Sequence, residues 1–231
     1  MKARMIAIDG PAASGKSTLA QNLASALGYL YFDTGVMYRA VTLAALKSNT
    51  PVGDEAAVST TANELDLDVQ PPSIDDGRQY DVLMNSEDVT WEIRSPAVDE
   101  NVSQVSMYPG VREAMTRRQR EIGLRGEVVM AGRDIGTVVL PEAELKVYLD
   151  ASVEARANRR LEECLRRGNS VELDVILEGM RERDRLDSTR ALAPLRPADD
   201  AVVLDSTKLS IHDVFEIVLA LAEDVTQKRK A

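Results

Sequence analysis

The chain holds one cysteine, Cys164, and one histidine, His212, in 231 residues. A disulfide framework, a cysteine–histidine zinc site and a Cys–His nucleophile pair each need more such side chains than exist. His212 follows Ser210-Ile211 at the start of the last apolar segment, where a surface or capping role is expected. No stretch approaches the roughly 18 uninterrupted apolar residues of a membrane span. The opening Met1-Lys2-Ala3-Arg4 leads into too few apolar residues before Asp9 and Gly10 for a signal peptide. A soluble, cytoplasmic protein without a membrane partner is expected.

Positive charge is also short. Lys plus Arg number 28 against 38 Asp plus Glu, a net of -10, which disfavours broad nucleic-acid binding by phosphate neutralisation. The deficit is local: between Asp54 and Glu100 stand 13 acidic residues against only Arg78 and Arg94. What remains is ordinary, at 44% apolar and 29% charged residues. That composition excludes disordered and collagen-like chains. The length favours one domain with insertions over two independent ones.

Arginine outnumbers lysine 21 to 7, and 16 of the arginines lie between Arg112 and Arg196. A guanidinium presents a planar fork that grips phosphate or carboxylate through two parallel bonds, which an ammonium cannot do. Solvated helix faces are the competing explanation for any single arginine.

Met5-Ile6-Ala7-Ile8, stopped by Asp9-Gly10-Pro11, reads as a buried strand meeting a tight turn. Leu19, Leu23 and Leu27 then mark a helix from Ser17, with Gly28 as its stop. Tyr29-Leu30-Tyr31-Phe32 follows as a second strand, and strand–helix–strand is the unit of a parallel sheet. A helix is predicted over 36–47. In the acidic segment, Leu65-Asp66-Leu67-Asp68-Val69 alternates with period two, and Tyr80-Asp81-Val82-Leu83 and Val89-Thr90-Trp91-Glu92-Ile93 are further strands of a small antiparallel insertion. Helices are predicted over 96–107, 111–122, 153–167 and 171–185, and sheet strands over 127–131, 145–149 and 201–204.

The strongest local signal is Gly10-Pro11-Ala12-Ala13-Ser14-Gly15-Lys16-Ser17-Thr18, which sits between that first strand and first helix. Glycines let successive backbone N–H groups turn inward at a helix N-terminus, forming a nest for phosphate. Lys16 is placed to reach the terminal phosphates of a nucleoside triphosphate. Ser17 is placed to offer its hydroxyl to Mg²⁺, which takes hard oxygen ligands and keeps several waters.

A guanine switch would carry Asn-Lys-x-Asp, which is missing here, and a motor ATPase would have more mass. Bringing a second phosphate to a triphosphate sets two anions against each other, so fixed cations are required. Arg39, Arg112, Arg133, Arg183 and Arg190 are candidates, and Arg156, Arg159 and Arg160 share a helical face. For that trio the bland alternative is an exposed amphipathic face. For Arg183 and Asp187 it is an (i, i+4) ion pair worth about 0.3 to 0.5 kcal/mol.

Asp33-Thr34-Gly35-Val36-Met37-Tyr38-Arg39, Ser103-Gln104-Val105, Pro109-Gly110-Val111-Arg112, Gly132-Arg133-Asp134-Ile135-Gly136-Thr137-Val138-Val139 and Ala193-Pro194-Leu195, in this order, resemble the bacterial cytidylate kinases. The resemblance implies an α/β P-loop nucleoside monophosphate kinase fold, with a parallel core flanked by helices, a small antiparallel insertion and a helical lid. The expected divisions are a core of 1–35, 109–152 and 171–231, a monophosphate-binding part of 36–108 and a lid of 153–170. The implied reaction is phosphoryl transfer from ATP to CMP or dCMP. A kinase for another monophosphate or small metabolite, or a non-catalytic nucleotide-binding module, are the alternatives.

By the same resemblance, Thr34, Arg39, Ser103, Arg112, Arg133, Asp134, Arg183, Asp187 and Arg190 surround the monophosphate nucleotide. Lys16, Arg39, Arg133 and Arg183 act in the transfer, and Arg156, Arg159 and Arg160 join residues 10–18 on ATP. Mg²⁺ is the implied cofactor, and a monomer with small nucleotide substrates is expected. Two positions depart from the family pattern: Ala131, where aspartate is frequent, and Trp91, where a small or polar residue is usual.

Overall fold

The computed structural model describes residues 2–166, 171–190 and 192–224. Five strands form one parallel sheet: β1 (Met5–Asp9), β2 (Leu30–Asp33), β6 (Val128–Gly132), β7 (Leu145–Asp150) and β8 (Val202–Asp205), in the order β2-β6-β1-β7-β8. β1 pairs with β7 from Ile6 opposite Leu145 to Asp9 opposite Tyr148, and β7 pairs with β8 from Val147 opposite Val202. Ile6, Ala7 and Ile8 are fully buried, as expected for a parallel strand covered on both faces.

By contacts the chain divides into two compact units, Met1–Tyr29 with Val129–Ala231, and Leu30–Val128. In the first, α1 (Lys16–Leu27) packs on α8 (Ile211–Glu223) through the buried Leu19, Leu23, Val214 and Val218. Gly28 closes α1 in the left-handed region, donating its N–H to Ala24 O. Ser210 and Asp213 form a reciprocal capping box at the start of α8, and His212 beside them is exposed. α6 (Val153–Arg166) packs against α7 (Leu173–Thr189). Residues 167–170, the end of the expected lid, lie outside the described residues.

The second unit contains α2 (Gly35–Lys47), α3 (Glu55–Glu64), α4 (Pro96–Val105) and α5 (Pro109–Gly123) beside an antiparallel sheet. That sheet is β3 (Leu67–Gln70), β4 (Asp81–Met84) and β5 (Glu87–Asp88). Asn85 and Ser86 both have positive φ, the geometry of a two-residue hairpin turn between β4 and β5.

The structure corrects one sequence expectation and adds one helix. Helix α3 was not expected; Asp54 caps it by accepting from Ala57 N at 3.0 Å, and Val58 and Ala62 bury one face. The expected strand over 89–93 is instead a bend into a 3-10 turn, Glu92–Arg94. There the Thr90 hydroxyl accepts from Val82 N at 2.9 Å, replacing a backbone ladder partner with a side chain.

Candidate active site

The phosphate loop joins β1 to α1. A Cβ on Gly10 would stand 2.2 Å from Leu149 O, so only glycine lets the loop pass the end of β7. Gly15 is the N-cap residue of α1 at φ 97, and Ala13 is held at φ 59, a conformation few L-residues adopt. Lys16 is buried and donates from Nζ to Pro11 O at 3.1 Å.

The loop's outer rim is held by side chains. Arg159 donates to Ser14 O at 3.2 Å and to Ser206 O at 2.6 Å, and the Ser206 hydroxyl donates to Asp150 O at 2.9 Å. Arg156 is 4% exposed; it donates to Ala151 O and Ala12 O, and both its terminal nitrogens donate to Asp184. An exposed amphipathic face is therefore overturned for Arg156 and Arg159, because both guanidiniums are bonded to loop carbonyls. Arg160 does face solvent and pairs with Glu163 at 2.7 Å.

Ser14 Oγ is buried among the described residues without a hydrogen-bond partner. An orphaned hydroxyl inside a nest of N–H groups fits an anionic ligand. No cluster of three or more His, Cys, Asp or Glu among the described residues could hold a metal. A divalent ion would therefore rely on the Ser17 hydroxyl, phosphate oxygens and water, which suits Mg²⁺.

The other sequence-predicted residues of the first unit form one charged group at the end of β6 and along α7. Arg133 Nε donates to Asp187 Oδ2 at 2.9 Å. Arg190 lies 3.7 Å from Asp187 and 3.6 Å from Asp134, and donates to Ala193 O at 2.6 Å. Asp187 thus has Arg133 and Arg190 as close ion-pair partners, and its charge also acts on Arg183 one turn earlier on α7. Arg183, although exposed as a residue, is crowded enough to lose hydration, which lowers its pKa; the neighbouring charge of Arg133 adds to that.

Thr34, Arg39, Ser103 and Arg112 belong to the second unit. Thr34 is the buried N-cap residue of α2, and Asp33 beside it accepts from Gly35 N at 3.0 Å. Arg39 donates to Asp99 and to Ile93 O at 3.2 Å, while Ser103 is exposed one turn after Asp99 on α4. Arg112 is 7% exposed, its guanidinium 5.6 Å from the Tyr38 ring centre, a cation–π distance. Trp91 donates from Nε1 to Asp76 at 2.8 Å, and Arg94 lies over its ring.

Sequence reasoning passed over Asp99, Asp184, Ser206 and Asp9. The first three are partners of candidate arginines, supplied by distant segments that no local pattern connects. Asp9 did leave a signal, a charged residue closing an apolar strand. It is 4% exposed and accepts from Ile135 N at 2.8 Å and Gly136 N at 2.7 Å. Burial raises its pKa to about 6, against the two N–H bonds that pull it down.

A strand, a glycine-bent anion nest and a helix carrying lysine and serine, within a parallel α/β sheet, define a P-loop kinase fold. The cytidylate kinase family model matches residues 6–224. The cytidylate kinase of Chloroflexus aggregans is 52% identical over 214 residues, 93% of this chain and 91% of that protein. That of Herpetosiphon aurantiacus is 50% identical over 216 residues, covering 94% and 93%. That of Bacillus licheniformis is 48% identical over 225 residues, covering 96% and 97%. The chain belongs to the cytidylate kinase family.

Proposed function

We infer that the chain transfers the terminal phosphoryl group of ATP to CMP or dCMP, giving CDP or dCDP and ADP. The observation that carries this is family membership over nearly the whole length, in a chain whose phosphate loop keeps its lysine, serine and bent glycines.

The backbone N–H groups of 10–18 cradle the donor phosphates, and Lys16 turns from Pro11 O towards them. Ser17, together with phosphate oxygens and water, would hold Mg²⁺, which would supply positive charge between the phosphates. Arg39, Arg133 and Arg183 hold the acceptor phosphate. That phosphate is already ionised near neutral pH because its second pKa is about 6, so no general base is needed. Rate then comes from alignment and from cations fixed in place beforehand.

On this reading Asp134 and Arg112 read the base, and Thr34 and Ser103 contribute to binding the same nucleotide. Cytosine offers an amino donor to the Asp134 carboxylate and acceptors to Arg112. Uracil presents a carbonyl in place of the amino group and leaves the carboxylate unpaired. Asp187 and Arg190 take the sugar and phosphate edge. Residues 36–108 form the monophosphate-binding part, and the described part of the expected lid, residues 153–166, covers the bound nucleotides and excludes water. The protein works as a cytoplasmic monomer; no described helix is long and apolar enough to cross a membrane.

The test is a panel of ATP with CMP, dCMP, UMP, AMP and GMP, reading ADP formation. Turnover with the two cytosine nucleotides well above the rest is expected. Preferred turnover of another acceptor, or none with any, overturns the assignment.

A further inference from the structure

Asp9 has no place in the mechanism above, yet it is buried, at 4% exposure, with both carboxylate oxygens bonded. It ends β1 immediately before the phosphate loop, and each of its oxygens takes one backbone N–H, from Ile135 and from Gly136. Those residues open the π-helical turn Ile135–Val139 that directly follows Arg133 and Asp134. π-helical turns are rare and recur at functional sites. Gly136 packs closely here: a Cβ on it would lie in ordinary contact with the Asp9 carboxylate, at 3.4 Å, and 3.2 Å from the Lys146 side chain.

We propose that Asp9 is a positioning residue whose ionised carboxylate pins the turn carrying Arg133 and Asp134 beside the phosphate loop, so that the acceptor nucleotide is held in line with the donor. This rests on the reading of Arg133 and Asp134 as acceptor-binding residues. A carboxylate accepts from both N–H groups at once, in short charge-assisted bonds. A protonated or amidated side chain offers one oxygen as before and sets a donor against the second N–H.

Stability alone does not account for this residue. Its pKa is raised in the fold to about 6. The folded chain therefore binds the proton more tightly than the unfolded one, and the linked stability is present in acid and lost as pH rises through about 6. At neutral pH the ionised Asp9 costs stability. The charged groups that act on it are Asp134, the N-cap residue of the turn, and Lys16 on α1, and the neutral Tyr148 phenol on β7 also lies within its field. Among those acting on its pKa, burial is the largest cause, Asp134 raises it and Lys16 lowers it.

Two measurements test the proposal. In the ligand-free wild-type protein, the NMR amide signals of Ile135 and Gly136 should titrate together with a midpoint of about 6, a readout that CMP's own phosphate cannot contaminate. In Asp9→Asn that titration should vanish, kcat/KM for CMP should fall about 10- to 100-fold and ATP affinity should change less than about threefold. Ile135 and Gly136 amide signals that are the same in the wild type and in Asp9→Asn, or a variant with unchanged kcat/KM for CMP, overturn the proposal. If the variant fails to fold, the wild-type titration decides. A wild-type protein that leaves CMP untouched overturns the functional reading instead, while the amide titration still reports on the Asp9 contact.

Discussion

Asp187 receives Arg133 through Nε at 2.9 Å while its other carboxylate oxygen lies 3.7 Å from Arg190. One anion thus offsets two guanidiniums, and Arg190 also reaches Asp134 at 3.6 Å. Asp187→Asn keeps the shape and removes the charge, leaving two cations side by side. KM for CMP and dCMP should rise about tenfold or more, with KM for ATP nearly unchanged. Initial rates at varied acceptor check this, and an unaltered KM would remove Asp187 from the acceptor site.

Lys16→Ala should lower kcat about a hundred- to thousandfold, because the proposed mechanism relies on this cation at the transferring phosphates. CMP affinity, measured calorimetrically, should change less than about threefold. Near-normal turnover would refute the role given to Lys16.

On the proposed reading, Asp134→Asn converts the acceptor for cytosine's amino group into a side chain able to pair with either pyrimidine. The ratio of kcat/KM for CMP over UMP should fall about tenfold or more. A ratio equal to wild type would place base reading elsewhere.

Arg78 is the hub of the acidic segment, its side chain 4% exposed and paired with Asp76, Asp81 and Asp88. Asp76 is held below its usual range chiefly by Arg78, and Asp88 by Thr90 and then Arg78. Burial works the other way on Asp81, yet bonds from Ser73 and Arg78 still carry it down. Depressed carboxylates give stability that is present above their unfolded pKa values and lost as pH falls below them. Arg78→Met should lower the melting temperature by several degrees at neutral pH, and by less in acid. Thermal melts by circular dichroism across pH check both parts.

Ala13 stands at φ 59 in the phosphate loop. Ala13→Gly should raise stability by about 0.5 to 1 kcal/mol, since the native conformation no longer strains a Cβ. Urea unfolding measures it; a destabilised variant would mean that the methyl group packs usefully.

The core was legible because its signals are local: apolar runs ended by Asp9-Gly10-Pro11, leucines four apart, and Gly28 at a helix stop. Helix α3 was obscured by the period-two pattern that follows it, although Asp54 holds its cap and Val58 and Ala62, four apart, its buried face. The strand expected over 89–93 failed because a β-rich composition does not reveal that Thr90 will spend its hydroxyl on Val82 N. At the site, the residue types in the loop and after β6 could be read directly. Their restraints, such as Asp184 on Arg156 and Asp99 on Arg39, come from segments 28 and 60 positions away.

Trp91, the chain's single tryptophan, is bonded to Asp76, which in turn binds Arg78. Its indole emission is therefore a built-in optical gauge of the acidic hub, reporting that corner of the protein without any label.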